Sequence, residues 1–480
     1  MSVSVATSSP SSLTESEEAR AQRRIARIRL EMELPDFQNI KLEFLDDLAE
    51  VIGIAPGDIW ITSIRLGCVI LRLSLSESAE HSLETKWEDR EKEPLVELFK
   101  KRYKVAWVRF YDVPETRISV IVNVKDSGHT LTWLHLSDAH FRSEEGGKKF
   151  SQDKVTGKFL EALPKLLGEW KLEPDLVFFT GDLSFSGKRE EFGVVGDFLK
   201  KLQASLPRQA RFLCVPGNHD VTWNNIDPEE EERLRGSLGN EDQVNSLLLD
   251  ASQKGRLTEC LRRLSNFSEF VKSDPLMAGH PAIGDLLYYS EVIDHQGFKI
   301  GVAGLNSVWC STRKDLAKTE VTQSLDLGHL VMGEPQIKTA LDRLREAHIK
   351  VALVHHPPIS EWFRHFELPI HINSFSEFDF ILRGHQHVQN FIGLDPNLDE
   401  KNKFFPLAAG ALYSHPGHPN GVNAVKVDLA TGIVEAFSWV YLNSHSVWRK
   451  NLGPRETGFI EFSLSMRVRE RLSIPARHVA

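Results

Sequence analysis

Residues 212–223 read FLCVPGNHDVTW, a short apolar run followed directly by polar residues that do not suit a hydrophobic core. The apolar part, 212–215, predicts a strand covered on both faces, because runs of this length before turn formers are typical of buried strands. Asn218, His219 and Asp220 then follow at the carboxyl end of that strand, where open α/β sheets bind their ligands. The stretch therefore predicts an α/β fold with a functional site beside a strand end.

Four other segments repeat this pattern of a buried strand that ends in polar residues. They read LTWLHLSDAHF (131–141), DLVFFTGDLSFSG (175–187), KVALVHHPP (350–358) and FDFILRGHQH (378–387). Segments with apolar residues at helical spacing lie between them. Strands that alternate with helices in this way predict an α/β domain whose polar strand ends meet along one edge.

The composition predicts a folded protein of two domains. At 480 residues, the chain is longer than one hydrophobic core usually grows. The formal net charge of −9 argues against a protein whose whole surface binds nucleic acid. Any phosphate chemistry must therefore be confined to one site.

The four cysteines and the N-terminal sequence indicate the compartment. No CxxC pair occurs, which argues against both a disulfide framework and a thiolate zinc site. Residues 1–20 are rich in serine and lack the apolar core of a signal peptide, so we expect a disordered tail. No run of about 18 apolar residues occurs, so we expect no membrane span and a cytoplasmic location.

Residues 21–110 predict a small α/β module. The apolar pattern indicates the order β, α, β, β, α, β, which is that of a split βαβ, ferredoxin-like unit. No catalytic constellation occurs there, so we expect an interaction or sensing module that binds a protein partner. Residues 111–130 contain the turn-forming stretches YDVPETR and KDSGHT and predict a linker.

Two further segments depart from the α/β pattern. Residues 222–275 carry apolar residues at helical spacing and predict a helical insertion. The insertion is either packed on the domain as an ordinary helical segment or placed over the site as a cap that shapes the substrate pocket. Residues 466–480 predict a polar C-terminal tail.

Two pairs of polar residues at the strand ends have the spacing of metal ligands. Asp138 and His140 lie two residues apart, and so do His385 and His387. Because side chains alternate along extended chain, the members of each pair point to the same side. The spacing of Asp138 and His140 suits two ligands of one metal, and we expect the second pair to face the first.

Three more strand ends supply further ligand types. Asp182 offers a carboxylate that can bridge two cations, Asn218 offers an amide oxygen and His355 an imidazole. Oxygen and imidazole donors without thiolate suit Mn, Fe or Zn in a site that is not a structural zinc knot. A lone DxH or GD motif occurs often by chance, so the prediction depends on the five motifs together.

In chain order the motifs are DxH, GD, GNHD, HHPP and GHxH. This order resembles that of the calcineurin-like metallophosphoesterase family, over residues 131–465. The resemblance implies an α/β/β/α sandwich of two mixed sheets flanked by helices, with two divalent metal ions at the strand ends. It implies two ligand groups that share one carboxylate: Asp138, His140, Asp182 and His387 for one metal, and Asp182, Asn218, His355 and His385 for the other.

The resemblance also implies the catalytic residues. His219 is the catalytic histidine of the pattern, and Asp220 is expected to orient it. In HHPP the family spacing favours His355 as the ligand, while His356 then faces substrate, although the reverse assignment stays open. Asn306, in GVAGLNSVWCS, is either a substrate contact or a residue that stabilises its loop.

The expected activity is hydrolysis of a small phosphate ester with two metals that activate water. The stretch GDLSFSGKREEF resembles that of the family branch with cyclic-nucleotide and glycerophosphodiester phosphodiesterases, which favours a phosphodiester substrate. A phosphomonoesterase or protein phosphatase remains an alternative. A nuclease also remains possible, with nucleic acid as the substrate in a basic groove. A non-catalytic scaffold is the least expected, because all the ligand types and His219 are present.

Overall fold

The computed structural model describes the backbone of the strands within residues 23–111. It also describes residues 128–474 except 145–146, 282–287, 313–325, 392–403, 415–419, 444 and 452–458. The chain divides into two compact units, Met1–Asn123 and Val124–Ala480. The division falls inside the segment 111–130, whose role as a linker stays a prediction. The expected tail at residues 1–20 lies outside the described part.

The described part of the first unit is an antiparallel sheet. Its strands are β1 (Arg23–Leu30), β2 (Trp60–Ile64), β3 (Val69–Ser76) and β4 (Val105–Tyr111), in the order β2-β3-β1-β4. All neighbouring strands are antiparallel. The ferredoxin-like assignment of this unit stays a prediction. The two segments that we predicted as helices lie outside the described residues.

The second unit is built on two mixed sheets. In the first, β5 (Thr130–Leu136), β6 (Leu176–Thr180) and β7 (Arg211–Val215) run parallel. Four strands extend this sheet beyond β5 by antiparallel pairing: β14 (Gly421–Asp428), β15 (Ile433–Leu442), β16 (Val447–Lys450) and β17 (Phe459–Ser463).

The second sheet has a parallel centre and antiparallel edges. Its parallel strands are β9 (Phe298–Gly304), β10 (Ile349–Val354), β11 (Phe380–Arg383) and β13 (Phe405–Ala408). Two edge strands, β8 (Tyr289–His295) and β12 (Asn390–Phe391), pair antiparallel to β9 and β13. The strand order is β12-β13-β11-β10-β9-β8.

The α-helices of the described part connect these strands. In chain order they are α1 (Gly147–Glu169), α2 (Arg189–Ala204), α3 (Pro228–Gly236), α4 (Glu241–Leu249), α5 (Lys254–Leu261), α6 (Ser265–Ser273), α7 (Glu334–Arg343), α8 (Glu367–Phe375) and α9 (Met466–Arg471).

The core lies between the two sheets and beneath the helices. Trp133 of β5 meets Phe380 of β11 edge to face, with ring centroids 5.1 Å apart, and both side chains are fully buried. On the outside of the first sheet, Phe159 of α1 packs on Trp448 of β16 at 5.1 Å. Residues of α7, including Ile337, belong to a second apolar cluster with residues of β10 and β11. The predicted α/β/β/α sandwich is therefore confirmed.

Residues 222–275 form four helices, α3 to α6, packed on the domain. Phe270 of α6 stacks on Phe192 of α2 at 5.4 Å. Arg263, almost fully buried, donates to Glu231 Oε2 at 2.7 Å and to the carbonyl of Ser311 at 2.6 Å. These contacts are those of a packed insertion, and a role as a substrate cap stays a prediction.

The prediction of a polar tail from residue 466 is wrong for its first part. Residues 466–471 form α9, in which Val468 is fully buried. Arg467 and Arg471 on this helix both pair with the buried carboxylate of Asp379. The error arose because the two arginines looked like a solvated surface, whereas they neutralise a buried charge. Residues 475–480 lie outside the described part.

Nothing in the described ranges is both helical and apolar over a length that could cross a bilayer. Three of the four cysteines are described, and all three are free and buried: Cys214, Cys260 and Cys310. The cytoplasmic location stays a prediction.

Candidate metal centre

The structure brings all seven predicted ligands together at the carboxyl ends of the parallel strands. Asp138 and His140 follow β5, Asp182 follows β6, and Asn218 follows β7; in the other sheet His355 follows β10, while His385 and His387 follow β11. The two sheets therefore contribute to one centre. Most of these side chains are buried, with Asp138 and His355 fully so.

The first group of ligand atoms comes from Asp138, His140 and His387. His387 Nε2 lies 3.2 Å from Asp138 Oδ1 and 3.2 Å from His140 Nε2. His140 Nε2 is 4.0 Å from the same carboxylate oxygen. Two imidazole nitrogens and a carboxylate oxygen that converge in this way can bind one cation.

The second group comes from Asn218, His355 and His385. Asn218 Oδ1 lies 3.0 Å from His355 Nε2 and 3.1 Å from His385 Nδ1, and the two nitrogens are 3.2 Å apart. An amide oxygen with two imidazoles is a second donor set for a divalent ion.

Asp182 lies between the two groups. Its Oδ2 is 3.4 Å from His355 Nε2 and 3.9 Å from His140 Nδ1. Its Oδ1 accepts the backbone N–H of His219 at 2.8 Å. One carboxylate oxygen thus faces both groups, while the other holds the turn that carries His219.

Two buried polar atoms of the centre show that these residues fit a cation. Asp138 Oδ1 and His140 Nδ1 have no hydrogen-bond partner among the described residues. Buried polar atoms without partners are rare in folded proteins and need a ligand or another explanation. Oxygen and imidazole donors without thiolate match divalent metals, as the sequence predicted.

The backbone at the centre is held in an unusual conformation. Five of the seven ligand candidates have positive φ: Asp138 (52°), His140 (49°), Asp182 (53°), His385 (69°) and His387 (55°). Each such non-glycine residue costs on the order of 1 to 3 kcal/mol of strain. Strain concentrated on one set of polar side chains indicates that their position serves function.

Glycines next to the ligands allow the strand ends to approach closely. A Cβ atom on Gly181 would lie 2.5 Å from His355 Nδ1, and one on Gly384 would lie 2.6 Å from Asp138 Oδ2. Both are closer than real side chains approach. The glycines in GD and GHxH are therefore required for packing at the centre.

Hydrogen bonds behind the ligands orient the imidazoles. His355 Nδ1–H donates to the carbonyl of Thr180 at 2.7 Å, which leaves Nε2 facing Asp182 and Asn218. His387 Nδ1 lies within hydrogen-bond distance of Ser414 Oγ, at 3.1 Å. Partners of this kind fix the tautomer of a metal-binding histidine.

His219 lies beside the first group with one nitrogen free for substrate. Its Nδ1–H donates to the carbonyl of Phe185 at 2.7 Å. Its ring contacts that of His140, with centroids 4.6 Å apart, and that of Phe185 at 5.5 Å. The side chain is half-buried, so Nε2 can reach a bound ester.

A comparison with family models identifies the fold. The model described as calcineurin-like phosphoesterase matches residues 131–389, more than half of the 480-residue chain. The chain belongs to this family. The resemblance stated from the five motifs is therefore confirmed, and membership identifies a phosphoester hydrolase of a class that uses divalent metals.

Individual relatives agree with this family. The chain is 28% identical over 279 residues to a protein named probable glycerophosphodiester phosphodiesterase GpdQ, from Arcobacter nitrofigilis; the match covers 51% of this chain and 94% of the relative.

One solved structure with a low TM-score, 0.35, is a purple acid phosphatase from yellow lupin. It is 12% identical to this chain, and the match covers 73% of this chain and 57% of the phosphatase. An NAD nucleotidase from Haemophilus influenzae has 14% identity, TM-score 0.31, and coverage of 72% and 55%. The chain spans little more than half of these two structures, and scores this low add nothing to the family match.

Asp220 contacts backbone amides in this phosphoesterase. Its fully buried carboxylate accepts hydrogen bonds from the backbone N–H groups of Leu183, Ser184 and Gly217, and from Ser184 Oγ. The Phe185 carbonyl, not Asp220, holds the imidazole of His219. Asp220 thus contacts the turn that carries His219 and not its ring, and its expected part in orienting His219 stays a prediction.

The two predicted substrate contacts are also buried. Asn306 is 1% exposed, and its Oδ1 accepts the N–H of Val308 at 3.0 Å, so it stabilises its loop. His356 is fully buried, and Ser307 Oγ lies 3.0 Å from its Nδ1. The substrate roles of both residues are therefore not supported by their exposure. His355 is the histidine of HHPP that faces Asp182 and Asn218.

In the absence of a cation, the buried carboxylates of the centre favour the protonated form of His355. Burial alone would lower the pKa of His355, but the carboxylates of Asp182 and Asp138 outweigh it and raise the pKa to about 9. Burial, with the charge of His219, lowers the pKa of His140 to about 3. Histidine binds a metal in its neutral form, so a cation at this centre competes with the proton of His355.

Sequence reasoning missed the residues that orient the ligands. Phe185, Gln152 and Ser414 act through backbone or hydroxyl contacts that leave no motif. Of these, Phe185 lies in a stretch that the sequence analysis singled out, GDLSFSGKREEF.

Proposed function

We propose that the protein hydrolyses a phosphodiester at a centre of two divalent cations. The observation that carries this proposal is the position of Asp182 Oδ2, which faces His355 on one side and His140 on the other. A carboxylate between two donor sets is the arrangement expected for a pair of neighbouring ions. His219 lies at the edge of the same centre.

The proposed ligands are the two groups that the family pattern implies, and they share Asp182. One group is Asp138, His140, Asp182 and His387; the other is Asp182, Asn218, His355 and His385. When bound, two such cations neutralise phosphoryl charge and lower the pKa of water to near neutrality.

The chain itself supplies a proton donor. Because Nδ1–H of His219 is held by the Phe185 carbonyl, the proton that would make the ring an acid is one carried on Nε2. In that state Nε2–H can donate to the leaving oxygen of the ester as the bond to phosphorus breaks. His219 therefore acts as general acid, and Asp182 Oδ1 keeps its backbone in place.

A diester is favoured over a monoester for two reasons. The relative at 28% identity carries the name of a glycerophosphodiester phosphodiesterase. The stretch GDLSFSGKREEF also resembles the phosphodiesterase branch of the family. Monoesters and nucleic acid remain the competing substrates.

The test is metal analysis followed by hydrolysis of bis(4-nitrophenyl) phosphate and 4-nitrophenyl phosphate with added manganese. We expect about two metals per chain and faster turnover of the diester. Asn218→Ala should lose metal and activity, while His219→Ala should keep the metal and lose rate. A metal-loaded protein that cleaves neither ester would overturn the proposal, and preference for the monoester would overturn the diester assignment.

A further inference from the structure

We propose that Arg142 is a substrate-binding residue of this centre and donates hydrogen bonds to a phosphoryl oxygen. Arg142 follows the ligand His140 by two residues. Its Cζ atom lies 3.1 Å from the centre of the Phe185 ring, and the same phenylalanine holds His219 through its carbonyl and its ring. Arg142 and His219 therefore share Phe185 as a contact.

No described carboxylate forms an ion pair with the guanidinium of Arg142. The guanidinium forms no hydrogen bond with the described residues, and its Nε is buried without a partner. Two carboxylates whose charge reaches Arg142 are occupied elsewhere. Glu144 binds Lys188, and Glu191 accepts from Ser186. A half-buried arginine without a carboxylate is a ready site for an anion.

The position of Arg142 is fixed before any substrate binds. Gln152 of α1, fully buried, donates to the carbonyls of Ala139 and His140, each at 2.7 Å. Its Oε1 accepts the backbone N–H of Arg142 at 3.2 Å. Phe185 then holds the guanidinium plane by a cation–π contact. A donor held in place in this way loses little entropy when it binds an anion.

The chemistry of the guanidinium determines the ligand class. Its planar N–H groups match the tetrahedral oxygens of a phosphoryl group bidentately, which a lysine ammonium cannot do. This inference rests on the proposed function only in taking the anion to be the phosphoryl group of the substrate. It adds a recognition residue that belongs to none of the five motifs.

The experiment measures binding of inorganic phosphate to the manganese-loaded protein by calorimetry. Arg142→Gln should weaken phosphate binding by about 10- to 100-fold, the effect expected for a lost charge-assisted hydrogen bond. The phosphate affinity of Arg142→Lys should lie between that of the wild type and that of Arg142→Gln. Manganese content should be unchanged in both variants, because Arg142 is not a ligand.

Arg345→Gln is the matched control. Arg345 is an exposed arginine just beyond the end of α7, near the amino end of β10, and within the described residues its ion pair is with Asp342 of α7. Its loss should therefore leave phosphate binding unchanged. Phosphate affinity of Arg142→Gln equal to that of the wild type would overturn the inference, as would wild-type protein that does not bind phosphate. Binding that depends on Arg142 in a protein that cleaves no ester would overturn the proposed function and leave this inference standing.

Discussion

His219 donates its backbone N–H to Asp182 Oδ1 at 2.8 Å, so the proposed proton donor is tied to the carboxylate between the two ligand groups. The other oxygen of Asp182 faces His355 and His140. Metal binding and the position of His219 are therefore coupled through one side chain.

This coupling predicts the effect of Asp182→Asn. The amide keeps the size of the carboxylate but loses its charge, so both cations lose a shared anionic ligand. We expect metal content to fall from about two per chain to one or fewer after dialysis, together with activity. Metal analysis of the dialysed protein provides the measurement, and Asp342→Asn on the surface is the control. Retention of two metals by the variant would exclude a shared role for Asp182.

The role of His219 predicts a dependence on the leaving group. In His219→Asn the metal content should be unchanged, while turnover should fall by about 10²- to 10⁴-fold for esters of alkyl alcohols. The loss should be smaller for 4-nitrophenyl esters, because nitrophenolate leaves without a proton. Rates measured with methyl and 4-nitrophenyl esters of the same phosphate test this. An equal loss for both leaving groups would contradict a role as general acid.

The hydrogen bonds of Gln152 predict that its loss weakens metal binding, because they hold the loop that carries His140 and Arg142. Gln152→Leu has similar volume but loses the hydrogen bonds to the carbonyls of Ala139 and His140. We expect metal affinity to fall about 10- to 100-fold, as for other residues that hold ligands in place. Manganese titration measures the affinity.

The control for this variant is Gln203→Leu. Gln203 of α2 also bonds to a loop, at the carbonyl of Arg208 and the N–H of Ala210, but at the opposite end of the sheet. It should leave manganese affinity unchanged. If both leucine variants weakened manganese binding equally, the effect would be one of general stability.

The burial of His280 in its neutral form predicts that the protein loses folding stability at acidic pH. Burial lowers its pKa from 6.5 to about 4, and its Nε2 accepts the backbone N–H of Cys214. Because the folded-state pKa is lowered, this histidine stabilises the fold fully above pH 6.5, and the contribution is lost as the pH falls towards 4. By about pH 4.5 the loss should be about 2 to 3 kcal/mol.

The matched variant is His280→Gln, whose side-chain oxygen can accept the same hydrogen bond without titrating. Thermal unfolding of both proteins at about pH 7 and about pH 4.5 gives the comparison. The wild type should lose more stability on acidification than the variant. Parallel losses in the two proteins would contradict the neutral, buried state of His280.

The ligand positions could be predicted from the sequence because each follows a short apolar run. Parallel strands place their carboxyl ends on one edge, so Asp138 and Asp182 had to be neighbours once β5 and β6 were recognised. The second sheet of the sandwich was predicted only through the family resemblance, because an apolar run does not indicate which sheet its strand joins.

The contacts that the sequence could not indicate are those of side chains whose surroundings are not local in sequence. Asp220 adjoins His219 along the chain, yet the turn directs its carboxylate to the amides of Leu183 and Ser184. Arg467 and Arg471 looked solvent-exposed, but Asp379, which they neutralise, lies on a distant segment. Of the two roles expected for Asn306, its burial favours stabilisation of its loop, which only the structure could show. No periodicity reports such contacts.

The left-handed backbone of the ligand candidates has a consequence for engineering. Glycine adopts positive φ without strain, so a glycine at His140 or His387 would relieve local strain while removing a proposed metal ligand. Searches for heat-resistant variants of this chain should therefore enrich substitutions at those positions that abolish turnover. Selection for thermal tolerance alone would therefore favour inactive variants. To retain these residues, a selection must also require activity.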